Sequence, residues 1–375
     1  MSLFEARAEA LQANRRTIAE RLHTDTPLVL CLLILSVISL FVLYSASGQK
    51  IEVIWRQSIR LSVGFMIMLA LAQLNPATFK RWTPWLFTLV IGLLLAVLIA
   101  GEMGKGAQRW LDLGFFRFQP SEVMKLAVPM MVAWYLSDHP LPPSLKRLSI
   151  ATLLILVPTL MIAKQPDLGT ALLVASAGIF VLLFSGMSWR LIFVSAAVMA
   201  ASAPVLWHFM YGYQKQRVLT FLNPEQNPLG AGYHIIQSKI AIGSGGLYGK
   251  GWLNGTQSQL NFLPERSTDF IFAAYAEEFG LFGILVLLVV YLLVIMRGLL
   301  IASQAQDSYS RLLAGSIVMT FFIYIFVNIG MVTGLLPVVG VPLPLVSYGG
   351  TSMVTLMAGF GILMSIHTHR KLLPR

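Results

Sequence analysis

Long apolar runs are the feature of this sequence that most constrains its fold. Each is bounded by charged residues or by proline and glycine, and they lie near 27–46, 59–74, 84–101, 122–136, 148–163, 168–186, 191–209, 270–296, 312–333 and 350–366. A helix needs about 20 mostly apolar residues to cross a bilayer. The sequence therefore predicts an all-α polytopic membrane protein with ten transmembrane helices.

The charge content excludes soluble classes of protein. Charged residues make up 11% of the chain and hydrophobic residues 57%, whereas a soluble protein carries about 25% charged residues. The formal net charge of +11 does not indicate a nucleic-acid partner, because the basic residues are scattered between apolar runs. The single cysteine, Cys31, excludes a disulfide within the chain.

The basic residues of the short loops set the predicted topology. Residues 1–26 form a cytoplasmic N-terminal segment, 27–369 the ten-helix membrane domain and 370–375 a cytoplasmic tail. An even number of spans places both termini on one side, and every short loop on that side carries lysine or arginine, which favours the cytoplasm. We expect a multi-pass membrane protein with both termini in the cytoplasm.

A long extracytoplasmic loop is predicted at 210–268, between helices 7 and 8. Connections of this length are commonly functional. Within it, the isoleucines of 233–242 predict a helix that lies in the membrane interface, with Ile235, Ile236 and Ile240 on its apolar side.

Asp269 is the acidic residue best placed for chemistry at the outer membrane face. It lies where this loop turns into the eighth helix, and a carboxylate near a helix N-terminus is favoured by the helix dipole. A simple helix cap is the alternative. Ala273, Ala276 and Gly280 follow at helical spacing, which leaves room for a closely packed helix or for a lipid tail.

Charged residues at membrane depth are costly there, which makes six others candidates. They are Glu122 and Lys125 in the fourth span, Lys164 and Asp167 between the fifth and sixth, and Glu277 and Glu278 in the eighth. Glu122 and Lys125 stand three residues apart near the start of the fourth helix and can touch, as a self-satisfied ion pair or as part of a site. Glu277 and Glu278 lie deeper in the eighth helix, where pairing with a basic residue on a neighbouring helix is favoured over a role in the chemistry.

Basic residues on the outer side indicate an anionic ligand, since arginine suits phosphate in particular. The substrate-binding candidates are Arg109, Lys125, Arg217, Lys239 and Arg266, together with Glu122. The uncharged segment 334–350, broken by Pro337, Pro342 and Pro344, predicts a folded loop that lines a groove, because non-helical backbone at membrane depth must be covered.

Four segments carry the signature of a known family. They are KGAQRWLDLGFFRFQPSEVMKLAVP (105–129), QPDLGT (165–170), NPLGAGYHIIQSKIAIGSGGLYGKGWLNGTQSQLNFLPERSTDFIFAAYAEEFG (227–280) and LLPVVGVPLPLVSYGGTSM (335–353). They resemble the SEDS family of bacterial cell-wall proteins, on its elongation branch. The resemblance implies ten helices in a bacterial cytoplasmic (inner) membrane and a peptidoglycan glycosyltransferase that polymerises lipid II during side-wall growth and rod-shape maintenance. It also implies a class B penicillin-binding transpeptidase and other elongation proteins as partners. The family's essential aspartate falls on Asp269, and its Glu and Lys fall on Glu122 and Lys125.

The chemistry expected of such an enzyme agrees with the residues. Transfer from an α-linked pyrophosphate to a β-1,4 linkage inverts the anomeric carbon, so it needs a base for the acceptor hydroxyl and positive charge for the departing pyrophosphate. Asp269 fits as the base, or as a ligand of Mg²⁺ or Mn²⁺. No organic cofactor is expected. The alternative is a lipid II flippase, which favours charges near the midplane in matched halves, whereas here most of the candidate charges crowd the outer face.

Overall fold

The structure is a computed structural model that describes residues 22–104, 107–112, 117–210, 212–226, 232–260, 262–263 and 265–370. Most of the predicted N-terminal segment and tail lie outside these residues, so the domain boundaries stay predictions. The long helices are α1 (Thr26–Ala46), α2 (Ile51–Ala72), α3 (Pro76–Ala100), α4 (Pro120–Ser137), α5 (Leu145–Lys164), α6 (Leu168–Phe184), α7 (Trp189–Phe209), α11 (Ile271–Ser303), α12 (Ser308–Thr333) and α13 (Thr351–Thr368).

These long helices fall on the predicted apolar runs, so a mostly helical, multi-span membrane protein is confirmed. Within the described residues, α1, α2, α3, α5, α11, α12 and α13 are long and apolar enough to cross a membrane, whereas α6 and the apolar part of α7 are shorter. Helix α4 carries Glu122 and Lys125 in its first two turns. The count of ten transmembrane spans stays a prediction.

Polar side chains fix where several helices begin. Asp25 accepts a hydrogen bond from the backbone nitrogen of Leu28 at 3.0 Å, and Asp307 accepts one from that of Ser310 at 2.9 Å. Asn75 and Asp167 cap α3 and α6 in the same way. Such caps satisfy backbone donors that the first helical turn leaves free.

The prediction of an all-α chain is wrong at one place. Between α3 and α4 the chain forms a small antiparallel sheet in the order β1 (Glu102–Gly104), β2 (Ala107–Asp112) and β3 (Arg117–Phe118). This segment lies outside the apolar runs, so hydropathy carries no signal for it, and short hairpins satisfy its backbone groups locally. Arg109 lies on β2.

The segment after α7 contains further helices: α8 (Gly212–Leu222), a 3-10 turn (Pro224–Gln226), α9 (Tyr233–Gly245) and α10 (Thr256–Gln259). Helix α9 packs along α11 and α12. Its buried residues are Ile235, Ser238, Ala241 and Gly245, while Ile240 is exposed. The predicted helix is therefore present, but its three isoleucines do not form one buried side, because Ile235 is buried beside small residues that let α9 approach the bundle closely. Its place in the membrane interface stays a prediction.

Helix α11 is broken at Gly280, where φ is 63° and ψ is −162°. The turn 246–251 fills the break. Backbone nitrogens of Lys250 and Gly251 donate to the carbonyls of Glu277 and Glu278, and those of Leu281 and Phe282 donate to the carbonyls of Gly246 and Leu247. The predicted stripe of small residues thus does not line a straight face; Ala276 and Gly280 make room for this neighbouring chain.

Candidate active site

Asp269 lies in the turn that leads into α11, one residue before the N-cap residue Phe270. It is half-buried. Its carboxylate faces Gly340, where a Cβ added to the glycine would stand 3.5 Å from Oδ2. Gly340 has a φ of 75°, a backbone conformation that suits glycine. The predicted position of Asp269, at the start of the eighth helix, agrees with the structure.

The segment 334–350 lies against this turn as a non-helical loop, here called the Pro-rich loop. Its side chains Val341, Leu343, Leu345 and Val346 are at most 2% exposed. Ser39 donates to the carbonyl of Val346 at 2.9 Å. The segment is thus a folded, non-helical loop covered by protein, in agreement with that part of the prediction. That it lines a groove at membrane depth stays a prediction.

The Asp269 turn, residues 267–270, is bonded to the Pro-rich loop. The backbone nitrogen of Tyr348 donates to the carbonyl of Ser267 at 2.8 Å, and the Ser347 hydroxyl donates to the carbonyl of Thr268 at 2.6 Å. The Asn328 amide donates to the carbonyl of Asp269 at 2.9 Å. These bonds make the turn and the loop one structural unit.

Glu122 and Lys125 form the predicted ion pair, with Lys125 Nζ 2.7 Å from Glu122 Oε1. Lys125 also donates to the Tyr324 hydroxyl at 2.5 Å. Both charged residues are about 6% exposed or less, and Lys125 lines a cavity together with Tyr324 and Thr355. Tyr324 in turn packs with Val341 of the Pro-rich loop, so this pair is connected to the Asp269 region through one side chain.

Arg109 approaches Asp167, with Nε 3.7 Å from Oδ2, and donates to the carbonyl of Pro166. Gln119 donates to the same carboxylate at 3.0 Å. Gly169, in the first turn of α6, lies against the carbonyl of Val339, next to Gly340. The Arg109–Asp167 pair therefore lies near the same part of the Pro-rich loop as Asp269.

The other predicted basic contacts come from the segment between α7 and α11. Arg217 lies on α8 and is half-buried, and Lys239 lies on α9 and is exposed. The Lys239 side chain lies beside Gly334, at the start of the Pro-rich loop. Arg266 is half-buried three residues before Asp269, and burial lowers the pKa of its guanidinium. It reaches towards Gly48, at the end of α1.

The two deeper glutamates have different partners. Glu277 is fully buried; its Oε1 lies 2.8 Å from Lys250 Nζ and also accepts from the Thr256 hydroxyl and the Gln257 backbone nitrogen. The predicted basic partner of Glu277 is thus present, but the turn after α9 supplies it and not a neighbouring helix. Glu278 accepts a hydrogen bond from Ser45 of α1, and no basic partner of Glu278 is seen among the described residues.

Sequence reasoning missed several residues of this region. Arg60 of α2 places its guanidinium carbon 4.3 Å from the ring centroid of Tyr348, a cation–π arrangement. A charged side chain inside a predicted span was the signal that could have found it. Asn328 and Ser347 carry no charge, so that criterion does not detect them.

Among the described residues, no three His, Cys, Asp or Glu side chains cluster as a metal-binding group. A site of one carboxylate completed by substrate phosphates is the arrangement that Mg²⁺ often uses. Asp269 fits such a site as the protein ligand.

Comparisons with known proteins identify the family. The model of the FtsW/RodA/SpoVE cell cycle protein family matches residues 25–372. The chain is 58% identical to the peptidoglycan glycosyltransferase MrdB of Escherichia coli strain K12, over 96% of this chain and 98% of that protein. It is 33% identical to the peptidoglycan glycosyltransferase RodA of Treponema pallidum, over 92% and 98%.

Solved structures show the same fold. One, described as "Structural coordination of polymerization and crosslinking by a peptidoglycan synthase complex", matches with a TM-score of 0.81 and 29% identity, over 93% of this chain and 98% of that one. The rod shape determining protein RodA of Thermus thermophilus matches with a TM-score of 0.70 and 27% identity, over 92% and 98%. The SEDS resemblance of the sequence is thereby confirmed, and the chain belongs to the FtsW/RodA/SpoVE family.

Proposed function

We propose that this protein is a peptidoglycan glycosyltransferase that polymerises lipid II into β-1,4-linked glycan strands during cell elongation and rod-shape maintenance. The observation that carries the proposal is the 58% identity to a peptidoglycan glycosyltransferase along 96% of the chain. The geometry supports it, because the Asp269 turn is hydrogen-bonded to the Pro-rich loop and the Asp269 carboxylate faces Gly340 of that loop.

In the proposed topology, ten helices cross the bacterial cytoplasmic membrane and both termini are cytoplasmic. The end of α1 at Ala46, the start of α11 and the segment 210–268 then face outward. Asp269 meets the lipid-linked sugar at the outer face of the membrane, where the polymer is made.

In the proposed mechanism, Asp269 accepts the proton of the acceptor 4-hydroxyl as that oxygen attacks the anomeric carbon of the donor sugar. The bond from this carbon to the pyrophosphate breaks, and polyprenyl pyrophosphate leaves with its electron pair. Attack opposite the leaving group inverts the α-linkage to a β-linkage. One carboxylate suffices, because pyrophosphate leaves without a proton from a second acid, unlike the leaving group in glycoside hydrolysis.

Basic residues stabilise the charge on the departing pyrophosphate in this mechanism. Arg217, Lys239 and Arg266 are the candidates on the outward segment, and Arg109 contributes from the sheet. Glu122 and Lys125 neutralise each other at 2.7 Å, so their proposed part is to contact the substrate as a neutral pair, beside the cavity that Lys125 lines with Tyr324 and Thr355. A Mg²⁺ or Mn²⁺ ion, held by Asp269 and substrate phosphates, would supply further positive charge.

The proposed protein partner is a class B penicillin-binding transpeptidase of the elongation complex. The solved structure with the TM-score of 0.81 comes from a peptidoglycan synthase complex that couples polymerisation to crosslinking. A glycan polymerase needs a crosslinking enzyme to attach its product to the wall.

A polymerisation assay tests this proposal. The purified protein and a class B transpeptidase are incubated with lipid II and Mg²⁺ or Mn²⁺, and glycan length is read on a gel. We expect chains from the wild type and none from Asp269→Asn. Asp307→Asn is the matched control, because Asp307 also precedes a helix but caps α12, and asparagine caps equally well.

Two results would overturn the proposal. Chains from Asp269→Asn at the wild-type rate would remove Asp269 from the chemistry. No chains from the wild type, together with lipid II scrambling in protein-containing vesicles, would identify the alternative flippase. Polymerisation after chelation and after re-addition of Mg²⁺, Mn²⁺ or Ca²⁺ tests the cation.

A further inference from the structure

The backbone carbonyls around Asp269 are held by groups outside their own segment. The carbonyl of Asp269 accepts from Asn328, that of Thr268 accepts from Ser347 and that of Ser267 accepts from the Tyr348 backbone nitrogen. Three consecutive carbonyls thus have partners from α12 or the Pro-rich loop. Within the turn, the backbone nitrogens of Thr268 and Phe270 donate to the carbonyl of Glu265. The contacts to α12 and to the Pro-rich loop are the ones that fix the position of the turn relative to these two elements.

Asn328 is the side chain that joins all three elements. From α12, its amide nitrogen donates to the carbonyl of Asp269 at 2.9 Å and to that of Val341 at 2.7 Å. Its side chain is fully buried, and the amide oxygen has no hydrogen-bond partner among the described residues. Burying an amide is costly unless it is hydrogen-bonded, so the two donated bonds explain why a polar side chain occupies this position.

Ser347 repeats the arrangement from the Pro-rich loop. Its hydroxyl donates to the carbonyl of Thr268 at 2.6 Å and accepts from the backbone nitrogen of Leu343 at 2.8 Å. It is 4% exposed. Asn328 and Ser347 together connect the Asp269 turn to the part of the loop that follows Gly340, at Val341 and at Ser347.

We infer that Asn328 and Ser347 are positioning residues for Asp269. They hold the turn against the Pro-rich loop and thereby fix the carboxylate beside Gly340. This inference rests on the proposed function, in which Asp269 takes a proton from the acceptor hydroxyl. A general base must lie within about 2.6–3.2 Å of that hydroxyl, and a misplacement of 1 Å costs roughly 100-fold in rate.

The test compares variants that remove these bonds with one that removes an equivalent bond elsewhere. Asn328→Leu removes the bonds to the carbonyls of Asp269 and Val341. Asn328→Asp keeps the shape of the side chain but replaces its donating nitrogen by an oxygen that repels these carbonyls. Ser347→Ala removes the bond to the carbonyl of Thr268. Ser316→Ala is the matched control: Ser316 lies on the same helix, is fully buried and donates to the carbonyl of Ala177 at 2.7 Å.

For each full-length variant, kcat and KM for lipid II polymerisation are measured beside the thermal unfolding midpoint. We expect kcat to fall at least tenfold in the Asn328 and Ser347 variants, with KM within about twofold of wild type. The midpoint of Ser347→Ala should fall no further than that of Ser316→Ala, which should keep the wild-type kcat. The midpoints of the Asn328 variants should fall further, because two buried carbonyls lose their donors. A purely structural role would lower the midpoint without this selective loss of kcat.

Each outcome decides the inference. Wild-type kcat in folded Asn328→Leu and Asn328→Asp overturns it, and so does a loss equalled by Ser316→Ala. If the Asn328 variants do not fold, kcat of Ser347→Ala decides. If none of the three folds, hydrogen exchange of the wild-type Tyr348 amide decides, since exchange as fast as in an exposed loop overturns the inference. A wild type that makes no glycan overturns the proposed function instead.

Discussion

Gly280 breaks α11 where the turn 246–251 enters it, and replacing it by alanine is expected to destabilise the protein strongly. At a φ of 63° and a ψ of −162° the backbone occupies a region used almost only by glycine. A Cβ at this position would stand 2.7 Å from the carbonyl oxygen of Leu247 and 2.8 Å from its carbon. These are backbone atoms, which cannot rotate away as a side chain can.

The magnitude follows from two contributions. Holding a non-glycine residue in this conformation costs about 1–3 kcal/mol. Moving the turn away from the new Cβ breaks the bonds from Leu281 and Phe282 to Gly246 and Leu247, each worth about 1 kcal/mol. Gly280→Ala should therefore lower the free energy of unfolding by about 3–5 kcal/mol.

Thermal unfolding in detergent, followed by tryptophan fluorescence, measures the effect. Gly243→Ala is the matched control, because Gly243 lies within α9 and a Cβ there would meet no atom within 4 Å. Alanine is favoured over glycine inside a helix by about 0.5–1 kcal/mol, so the control should melt at or above the wild-type midpoint. Equal midpoints for Gly280→Ala and wild type would refute the reasoning, since they would mean that α11 is not clamped by the turn.

Three further predictions concern charged groups. Lys125→Met leaves the buried Glu122 unpaired and should cost about 3–5 kcal/mol, whereas the double variant Glu122→Gln with Lys125→Met should regain most of the melting temperature but not the polymerisation rate. Arg297→Ala removes the 2.6 Å partner of the buried Asp25 and should lower stability by about 2 kcal/mol at pH 7. Burial raises the pKa of Asp25, but the hydrogen bond and charge of Arg297 lower it by more, so the pKa lies below 3.8. The stabilisation from this pair is therefore present above pH 3.8 and is lost as the pH falls through the lowered pKa. His234 stacks on Phe270 with ring centroids 5.6 Å apart, and burial lowers the pKa of His234 from 6.5, an effect that Glu265 partly offsets. Because folding favours the neutral ring, stability should fall as the pH drops below 6.5. His234→Phe should remove that pH dependence from the melting curves.

Each of these predictions has a contrary result. A Lys125→Met variant that melts with the wild type would show that the ion pair is not buried in the protein. Unchanged stability of Arg297→Ala at pH 7 would contradict the role of the Asp25 pair, for which Lys80→Ala, at an exposed pair with Asp138, is the control. Parallel pH curves for wild type and His234→Phe would contradict the burial of His234.

Hydropathy predicted the helices well because it reports the part of each helix that lies in lipid. The helices extend beyond the apolar runs where the flanking polar residues are also compatible with helical structure. Helix α2 begins at Ile51 and not near 59, since Glu52, Arg56 and Gln57 lower the apolar average without disfavouring the helix. The β-sheet before α4 had no such signal, because its residues belong to no apolar run.

The charged members of the site were also accessible to sequence reasoning, because a charge at membrane depth is conspicuous. Asp269 and the Glu122–Lys125 pair were selected in this way. The contacts of Asn328 and Ser347 depend on residues 59 and 79 positions away in the chain. Nothing in the local pattern distinguishes them from the other uncharged polar residues of the spans.

The break in α11 also has a consequence for how the protein is made. As α11 enters the bilayer, the carbonyls of Glu277 and Glu278 and the amides of Leu281 and Phe282 need partners, and in the folded protein the turn 246–251 supplies them. In the proposed topology that turn belongs to a segment exported to the far side of the membrane before α11 is synthesised. A newly inserted α11 is therefore continuous, because lipid offers no replacement for its internal bonds. The kink forms only when the exported segment folds back roughly 15 Å along the helix, so docking of the turn 246–251, after membrane insertion, completes α11.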